Sequence, residues 1–452
     1  MSRDIAVFRR LADRSRHARV STVAVLLCFS SRAIAQAAPA AGLDSTLAVR
    51  IDTLIDLPTA VQRALAASPI IVASEGYVRS AQSEQRVATG AYMPSLAATS
   101  SLYRSNVTLA PVPGSLPSSY SAGLASSIDV FTGGRRSADR DRANANAKAA
   151  EVSDISQRFA VTLAAQRAFY DNLRASDLVD VARARIAQAE RGFRSAQSRI
   201  RAGTTTKSDE LRARLELTSG EQQLVAALDT LQTTAYALGR LVGANGPVGA
   251  KRSSTEEPHA LALSDSEIVR LAVETSPTVR TAQANEEAMR ALTKSARATY
   301  VPGLRVTGGY NWANQTTLAG AVRPGWSVAV GSSYPLFNGF QREDAVTRAD
   351  VSAEVAHATA LDATRQARAE AARLLAGLRF SERNIALAGE AVRAAQEDLR
   401  VQSERYQAGI ATELDHLTSQ LAVTQAQLGL VAARFNYLIT RAQLEALVGR
   451  TL

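Results

Sequence analysis

The chain has 452 residues, of which 21% are charged and 5% aromatic, and its formal net charge is +10. The first 35 residues contain seven arginines and two aspartates, a surplus of +5 that leaves only +5 for the rest of the chain. Because half of the surplus lies in one terminal segment, the basic balance gives no support for a nucleic-acid partner. The only cysteine, Cys28, lies in that segment too, which excludes disulfides, thiolate metal sites and cysteine nucleophiles elsewhere.

Residues 1–35 are predicted to be a secretory signal peptide. An arginine-rich stretch precedes a short apolar core from Val20 to Phe29, and Ala33-Ile34-Ala35 offers small residues for cleavage. The core is too short to span a membrane, and no later segment has the roughly 20 apolar residues that a spanning helix needs. Lipidation of the amino terminus at Cys28 stays open as an alternative.

The rest of the chain is duplicated. Landmarks recur at an interval of 208 residues in the early part of each half and 206 in the later part, far longer than a solenoid unit. The predicted domains are therefore a first repeat over 36–242, a linker over 243–262 and a second repeat over 263–452. The recurring pairs are Tyr92 and Tyr300, Pro94 and Pro302, Ala202-Gly203 and Ala408-Gly409, and Leu241-Val242-Gly243 and Leu447-Val448-Gly449.

Each repeat is predicted to contain a helix followed by a β-hairpin. The helices cover about 69–92 and 277–300, and the hairpins about 95–131 and 303–337, where the hydrophobic period changes to two. Strands of this length suit a tilted membrane crossing of roughly 9 to 11 residues, although a soluble hairpin packed on a helix shows the same pattern. Aromatic side chains near the strand ends are expected to form a girdle at the membrane surface. These are Tyr310, Trp312, Trp326 and Tyr334.

Two long helices follow each hairpin. They are predicted at about 135–201 and 207–242 in the first repeat and about 341–407 and 412–448 in the second, the longer ones reaching roughly 100 Å. An apolar stripe containing Leu211, Leu215, Val225 and Leu228 is expected to pack the returning helix on the preceding one. Arginine and aspartate recur along these helices, so they are expected to lie in the periplasm, outside lipid.

Four strands cannot close a barrel, and an open sheet edge in lipid leaves backbone groups unpaired at several kcal/mol each. The chain must therefore share its barrel with copies of itself. Three copies would provide about 12 strands, enough for an aqueous lumen.

The motifs, taken in order and found twice, resemble the TolC-like outer-membrane efflux protein family over the whole mature chain. They are Tyr92-x-Pro94-x-Leu96 and Tyr300-x-Pro302-x-Leu304, Pro335-Leu336-Phe337-x-Gly339, and Tyr406-x-x-Gly409. The resemblance implies a mixed α+β membrane protein of the Gram-negative outer membrane. Its homotrimer would form a 12-stranded barrel, four strands per chain, continuous with a periplasmic α-helical barrel that meets a periplasmic adaptor and an inner-membrane pump.

The turns between the long helices contain the sharpest candidate residues. Asp209 and Asp415 each follow a threonine by three residues, Thr206 and Thr412, which is the spacing of a capping box. One interpretation gives the carboxylates this capping role alone. In the other, Asp415, with its equivalent Asp209, rings the tunnel aperture and selects cations.

The resemblance adds further roles at these turns. It implies that Tyr406 and Thr412 make contacts that hold the tunnel entrance shut. Ala411 stands where a member of the family has a gate arginine, so the remaining contacts at the entrance are not defined. It also implies adaptor-docking tips, although glycine is the usual residue for ending a helix. The tips are Ala202, Gly203, Thr204, Ala408, Gly409 and Ile410.

No enzymatic activity and no cofactor or metal is expected, because His259, His357 and His416 have no histidine partner at metal-binding spacing. The predicted function is a passive outer-membrane channel-tunnel for tripartite efflux or type I secretion. The alternative is a periplasmic coiled-coil adaptor or scaffold. The sequence does not identify the cargo, the pump or the adaptor.

Overall fold

The computed structural model describes residues 51, 53–104, 118–253, 261, 263–313, 323–450 and 452. The predicted signal peptide over 1–35, with Cys28, and His259 lie outside the described residues. The first repeat comprises β1 (Thr53–Ile55), α1 (Leu57–Ala67), α2 (Pro69–Gly90), β2 (Ser95–Arg104), β3 (Ser118–Phe131), α3 (Arg135–Arg201) and α4 (Lys207–Leu241). The second comprises β4 (Val248–Ala250), α5 (Asp265–Thr275), α6 (Pro277–Arg297), β5 (Gly303–Ala313), β6 (Arg323–Ser333), α7 (Gln341–Gln407) and α8 (Glu413–Val448).

Local signals explain where these helices begin. Asp56 caps α1 by accepting a hydrogen bond from the Thr59 backbone N–H at 3.1 Å. Helices α2 and α6 begin at Pro69 and Pro277, where a missing N–H costs nothing because the first turn has no partner for it.

The hairpin strands form one antiparallel sheet in the order β2-β3-β5-β6. The β3–β5 pair joins the two repeats and places Leu124 opposite Tyr310. Strand β6 ends at Ser333, four residues before the predicted end at 337. Pro335 explains the early end, because proline has no N–H to donate to a sheet ladder.

A second, two-stranded sheet lies inside the predicted linker. Strand β4 pairs in parallel with β1, with Leu54 opposite Gly249. The Asn172 side chain accepts a hydrogen bond from the Ala250 N–H at 2.8 Å and so attaches β4 to α3. This sheet borders the largest buried cluster, in which Phe169, Leu238 and Tyr437 are fully enclosed. The predicted linker over 243–262 thus contains a strand at 248–250 that the sequence did not indicate, because three residues are too few to show an alternating pattern.

The two long helices α3 and α7 each contain 67 residues, about 100 Å at 1.5 Å per residue. Helix α3 packs against α4, α2, α6 and α8, and α7 packs against α8 and α6. Among the described residues, no helix combines the length and the apolar character required to cross a bilayer.

The predicted packing stripe on α4 was mostly wrong. Leu211 and Leu215 are 55% and 70% exposed, and of that stripe's leucines only Leu228 is buried. The buried face instead combines small residues, among them Ala213 and Gly220, with Leu224, Leu228 and Leu238. A Cβ at Gly220 would lie 3.3 Å from Ile186 Cγ1, so the two helices approach more closely there than a leucine stripe would permit.

An arginine fastens each hairpin to its helices. The Arg136 guanidinium lies 4.8 Å from the centre of the Tyr92 ring, and its Nη atoms donate to the carbonyls of Ala91 and Val130 at 3.2 and 3.0 Å. Its equivalent in the second repeat, Arg342, lies 4.9 Å from the centre of the Tyr300 ring. Cation–π contacts of this kind hold the tyrosine of each Tyr-x-Pro motif at the junction of sheet and helices.

Candidate functional site

One face of the four-stranded sheet is apolar across all its strands. Leu102 lies opposite Tyr120, and Tyr310 lies between Leu124 and Trp326. Much of this face is uncovered, since Trp326 is 78% exposed. A continuous apolar surface that crosses a whole sheet marks contact with lipid or with another protein. Its members are Leu96, Leu102, Tyr120, Leu124, Ile128, Val130, Leu304, Val306, Tyr310, Trp312, Trp326, Val328 and Val330.

The opposite face is small and polar. Hydroxyl pairs bridge β2 and β3, with Oγ–Oγ distances of 2.8 Å between Ser101 and Ser121 and 2.9 Å between Ser95 and Ser127. An ion pair bridges β3 and β5, with 2.6 Å between Arg305 Nε and Asp129 Oδ1. The two faces therefore have the chemistry of a sheet between lipid and water.

The predicted girdle residues occupy both ends of this sheet. Tyr310 and Trp312 pack edge to face with ring centres 4.6 Å apart, near the end of the strands distant from the helices. Trp326 lies opposite Tyr310 on β6. Tyr334 follows the end of β6, beside the helices, where the Arg342 guanidinium lies 5.3 Å from its ring centre.

At the other end of the long helices, the two turns have the same conformation. Gly203 ends α3 with φ of 70°, and Gly409 ends α7 with φ of 74°, a left-handed conformation that favours glycine. The Thr204 N–H donates to the Arg199 carbonyl, and the Ile410 N–H donates to the Arg405 carbonyl, both at 2.9 Å.

Both turns lead into capping boxes. The Thr412 hydroxyl donates to Asp415 Oδ2 at 2.7 Å, and the Asp415 N–H donates back to that hydroxyl oxygen at 3.2 Å. In the first repeat the Thr206 hydroxyl donates to Asp209 Oδ2 at 2.8 Å. Hydrogen bonds from threonine hydroxyls lower the pKa of both carboxyls, mainly from Thr412 for Asp415 and from Thr205 and Thr206 for Asp209. Both aspartates are thus held in the charged form.

Tyr406 lies at the centre of a cluster formed by the two tips. Its ring is 4.0 Å from the Arg199 guanidinium carbon and stacks on the His416 ring with 5.2 Å between centres. Arg199 Nη2 also donates to the Tyr406 carbonyl at 2.7 Å. Tyr406 is 8% exposed, and this burial, with the nearby Glu413, raises its pKa to about 12.

Glu413 is the unusual member of this cluster. It is 6% exposed, and no hydrogen bond of standard length and angle reaches either carboxylate oxygen from the described residues. Burial raises the pKa of Glu413, and the neighbouring Tyr406 hydroxyl and Arg199 guanidinium offset that rise only in part. Burial likewise lowers the pKa of His416.

Sequence reasoning missed this cluster apart from Tyr406. In the sequence Arg199 resembles the other arginines of α3, and Glu413 resembles a first-turn acid that favours a helix start. His416 stood out in the sequence only as a histidine without a partner at metal-binding spacing. In the described part of the chain, no group of three or more His, Cys, Asp or Glu side chains is arranged to hold a metal ion.

The sequence profile of the outer membrane efflux protein family matches residues 60–244 and 268–450 of the chain, one segment in each repeat. The chain belongs to the outer membrane efflux protein family. The family predicted from the repeated motifs and its outer-membrane location are therefore confirmed. The family is one of efflux proteins rather than of enzymes.

Similarity to solved structures extends over most of the chain. The outer membrane protein VceC from Vibrio cholerae shares 20% identity with a TM-score of 0.76, and the match covers 87% of this chain and 96% of VceC. The CmeC outer membrane channel of Campylobacter jejuni shares 15% identity with a TM-score of 0.77, covering 87% of this chain and 85% of CmeC. The fold is therefore the mostly helical fold of outer-membrane efflux channels.

A curated relative is similar over a shorter stretch. The cobalt-zinc-cadmium resistance protein CzcC of Cupriavidus metallidurans is 28% identical over 181 residues, which span 40% of this chain and 43% of CzcC. The match thus spans less than half the length of that relative.

Proposed function

We propose that this family member is one subunit of a homotrimeric channel-tunnel in the outer membrane. Three four-stranded sheets close a 12-stranded barrel, and the long helices continue it as a periplasmic tunnel. The assembly is a passive conduit for substrates that an inner-membrane pump delivers through a periplasmic adaptor. One observation carries the proposal: a sheet with one apolar face has two strand edges, on β2 and β6, without a partner strand among the described residues.

The internal repeat predicts how copies would join. Strand β2 corresponds to β5 at an interval of 208 and β3 to β6 at 206, and the two hairpins share one register, because Ser95 opposite Ser127 corresponds to Gly303 opposite Ser333. Within the chain, β3 pairs with β5, with Ser127 opposite Thr307. The same pairing shifted by these intervals places Ser333 of one copy opposite Thr99 of the next. Both residues belong to the polar face. Pairing β6 of one copy with β2 of the next in this register therefore keeps the polar face and the apolar face continuous from copy to copy.

We expect the double variant Thr99→Cys/Ser333→Cys to form intersubunit disulfides. Directly opposite residues on paired strands have Cβ atoms about 4.5 to 5.5 Å apart, close to the separation that a disulfide requires. Oxidation should therefore yield covalent dimers and trimers on a denaturing gel. The matched control is Ser101→Cys/Ser333→Cys, with one cysteine two residues further along the same face. Stronger crosslinking of the control than of the Thr99 pair would contradict the proposed register.

The conduit itself is tested by fractionation, particle size and conductance. The proposed channel requires detergent, has the mass of three chains and conducts ions in a planar bilayer. A processed protein that stays monomeric without detergent and never conducts would favour the periplasmic scaffold instead.

We further propose that Asp415, with its equivalent Asp209, forms an acidic ring at the periplasmic aperture, beside entrance contacts made by Tyr406 and Thr412. Asp415→Asn should weaken the cation preference of the channel and its block by divalent ions, because carboxylates at a pore mouth attract cations. Asp415→Glu is the control, since it keeps the charge at the same position. Selectivity is measured by reversal potentials in a salt gradient. Equal selectivity in Asp415→Asn and wild-type channels would mean that Asp415 only caps its helix.

The turns are proposed to dock the adaptor. Ile410 is 70% exposed, and a Cβ built at Gly203 or Gly409 would meet no atom within 4 Å. These uncovered backbones and the exposed isoleucine support a contact surface at the turns. Its members are Ala202, Gly203, Thr204, Ala408, Gly409 and Ile410.

A further inference from the structure

The two helical tips are joined through the side chain of Arg199. Arg199 belongs to α3 in the first repeat, and Tyr406 belongs to α7 in the second. The guanidinium donates to the Tyr406 carbonyl at 2.7 Å and lies 4.0 Å from the centre of its ring. A charged hydrogen bond and a cation–π contact are both among the stronger polar interactions, and any movement of one tip away from the other breaks both.

The same contact encloses Glu413, a group that loses more from burial than it gains from its neighbours. With the tips together, Glu413 is 6% exposed and both carboxylate oxygens lack a hydrogen bond from the described residues. A carboxylate buried in this way has lost its hydration, which separation of the tips would restore. Its burial therefore opposes the contact that Arg199 makes.

The helix pair beside this cluster is also held by polar contacts. Four of the eight buried polar residues among the described ones lie in the first half of α8, namely Glu413, Ser419, Gln420 and Thr424. Ser419 donates to Asp398 Oδ2 at 2.5 Å, and Gln420 Nε2 lies 2.7 Å from His416 Nε2. Water can replace such hydrogen bonds at little net cost, so this end of the α7–α8 pair can separate more readily than an apolar seam.

We propose that Arg199 is a positioning residue that clamps the second repeat's tip to the first, and that buried Glu413 acts against the clamp and favours separation. The proposal rests on the proposed channel function, in which these tips surround the periplasmic entrance. The balance of the two side chains sets how easily the entrance widens.

The charged and titratable groups facing Glu413 come from every helix at the cluster. They are Arg199 of α3, Asp209 of α4 and Tyr406 of α7, while His416 of α8 faces Arg199 and the Tyr406 ring. Only Arg199 is a permanent cation, and it faces two acidic groups. Removing it therefore weakens the clamp and leaves Glu413 beside Asp209 without a counter-charge.

Hydrogen–deuterium exchange of the detergent-solubilised trimer tests the clamp directly. We expect Arg199→Ala to speed exchange of the backbone amides over 405–412 about tenfold or more. Glu413→Gln should slow the same amides, because the neutral side chain removes the buried charge. Arg201→Ala is the matched control, since Arg201 is exposed and its Nε donates to the Gln197 carbonyl of its own helix. Arg199→Lys keeps the cation without the planar group and should fall between wild type and Arg199→Ala.

Planar-bilayer recording of the same proteins provides the second readout. Arg199→Ala should raise the channel's conductance or open time, and Glu413→Gln should lower it. If wild-type trimers do not conduct, the channel function fails, yet the exchange experiment still tests the clamp. If Arg199→Ala exchanges like Arg201→Ala, or Glu413→Gln changes exchange in the same direction as Arg199→Ala, the clamp proposal is overturned.

Discussion

Replacing Gly133 by alanine is expected to prevent stable assembly, or to lower stability by several kcal/mol. Gly133 has φ of 62°, and a Cβ there would lie 2.4 Å from Val301 Cβ and 3.0 Å from the Ala298 carbonyl oxygen. The left-handed conformation costs an L-residue about 1 to 2 kcal/mol, and the clash adds an overpacking cost of about 1 to 3 kcal/mol. Thermal unfolding of the purified protein and its yield in the outer-membrane fraction measure the effect.

The second repeat offers a matched control for this substitution. Gly339 occupies the equivalent position with φ of 66°, but a Cβ there would meet no atom within 4 Å. Gly339→Ala should therefore lower stability only by the cost of the left-handed backbone conformation. Gly133→Ala/Val301→Gly should recover the part of the loss that the clash with Val301 causes, because it removes that Cβ but leaves the backbone cost and the Ala298 contact, whereas Gly133→Ala/Val301→Ala should not. Equal losses in Gly133→Ala and Gly339→Ala would show that the contact with Val301 has no energetic weight.

Glu413→Gln is expected to become more stable relative to wild type as pH rises. Burial raises the pKa of Glu413 above its ordinary value of 4.5, so the folded protein binds this proton more tightly than the unfolded chain. The stabilisation from proton binding is complete below the ordinary pKa and is lost as pH rises through the folded pKa. Above that pH the wild type carries a buried charge that Tyr406 and Arg199 offset only in part, and a poorly compensated buried group costs about 1 to 3 kcal/mol.

The measurement is the difference in thermal midpoint between variant and wild type over a pH series in one detergent. Because only the change with pH is interpreted, any effect of the glutamine that does not depend on pH cancels. Glu413→Leu should show the same trend because it also lacks the titrating group. A difference that does not change with pH, or that shrinks as pH rises, would mean that Glu413 is hydrated or paired in solution.

Much of the architecture followed from features that act locally. Glycine at Gly203 and Gly409 ends a helix because it adopts positive φ without strain, and this predicted the two turns. The period of two along β5 predicted its two faces, and the structure places Leu304 and Arg305 on opposite sides of the sheet. The repeat extends even to Phe340, which has a left-handed φ of 63° because it occupies the place of Gly134.

The features that sequence reasoning missed depend on packing between distant segments. Strand β4 forms only because β1, almost 200 positions away, supplies a partner. The buried face of α4 was misassigned because it includes small residues such as Gly220, which a pattern of large apolar residues does not detect. The burial of Glu413 is set by Arg199 and Tyr406, which reach it from other helices, so its own neighbours in sequence give no sign of it.

The even number of strands in each chain has a consequence for how many copies a closed assembly can contain. Strands β2 and β6 lie at opposite edges and run in opposite directions, since the order β2-β3-β5-β6 is antiparallel at every step. Joining β6 of one chain to β2 of the next therefore preserves the alternation at every seam, whether the circle contains two, three or four chains. The direction of the strands alone therefore does not determine the number of subunits. In the proposed assembly, the stoichiometry therefore depends on the angle at which each chain meets the next, both in the sheet, through strand tilt and stagger, and between the long helices.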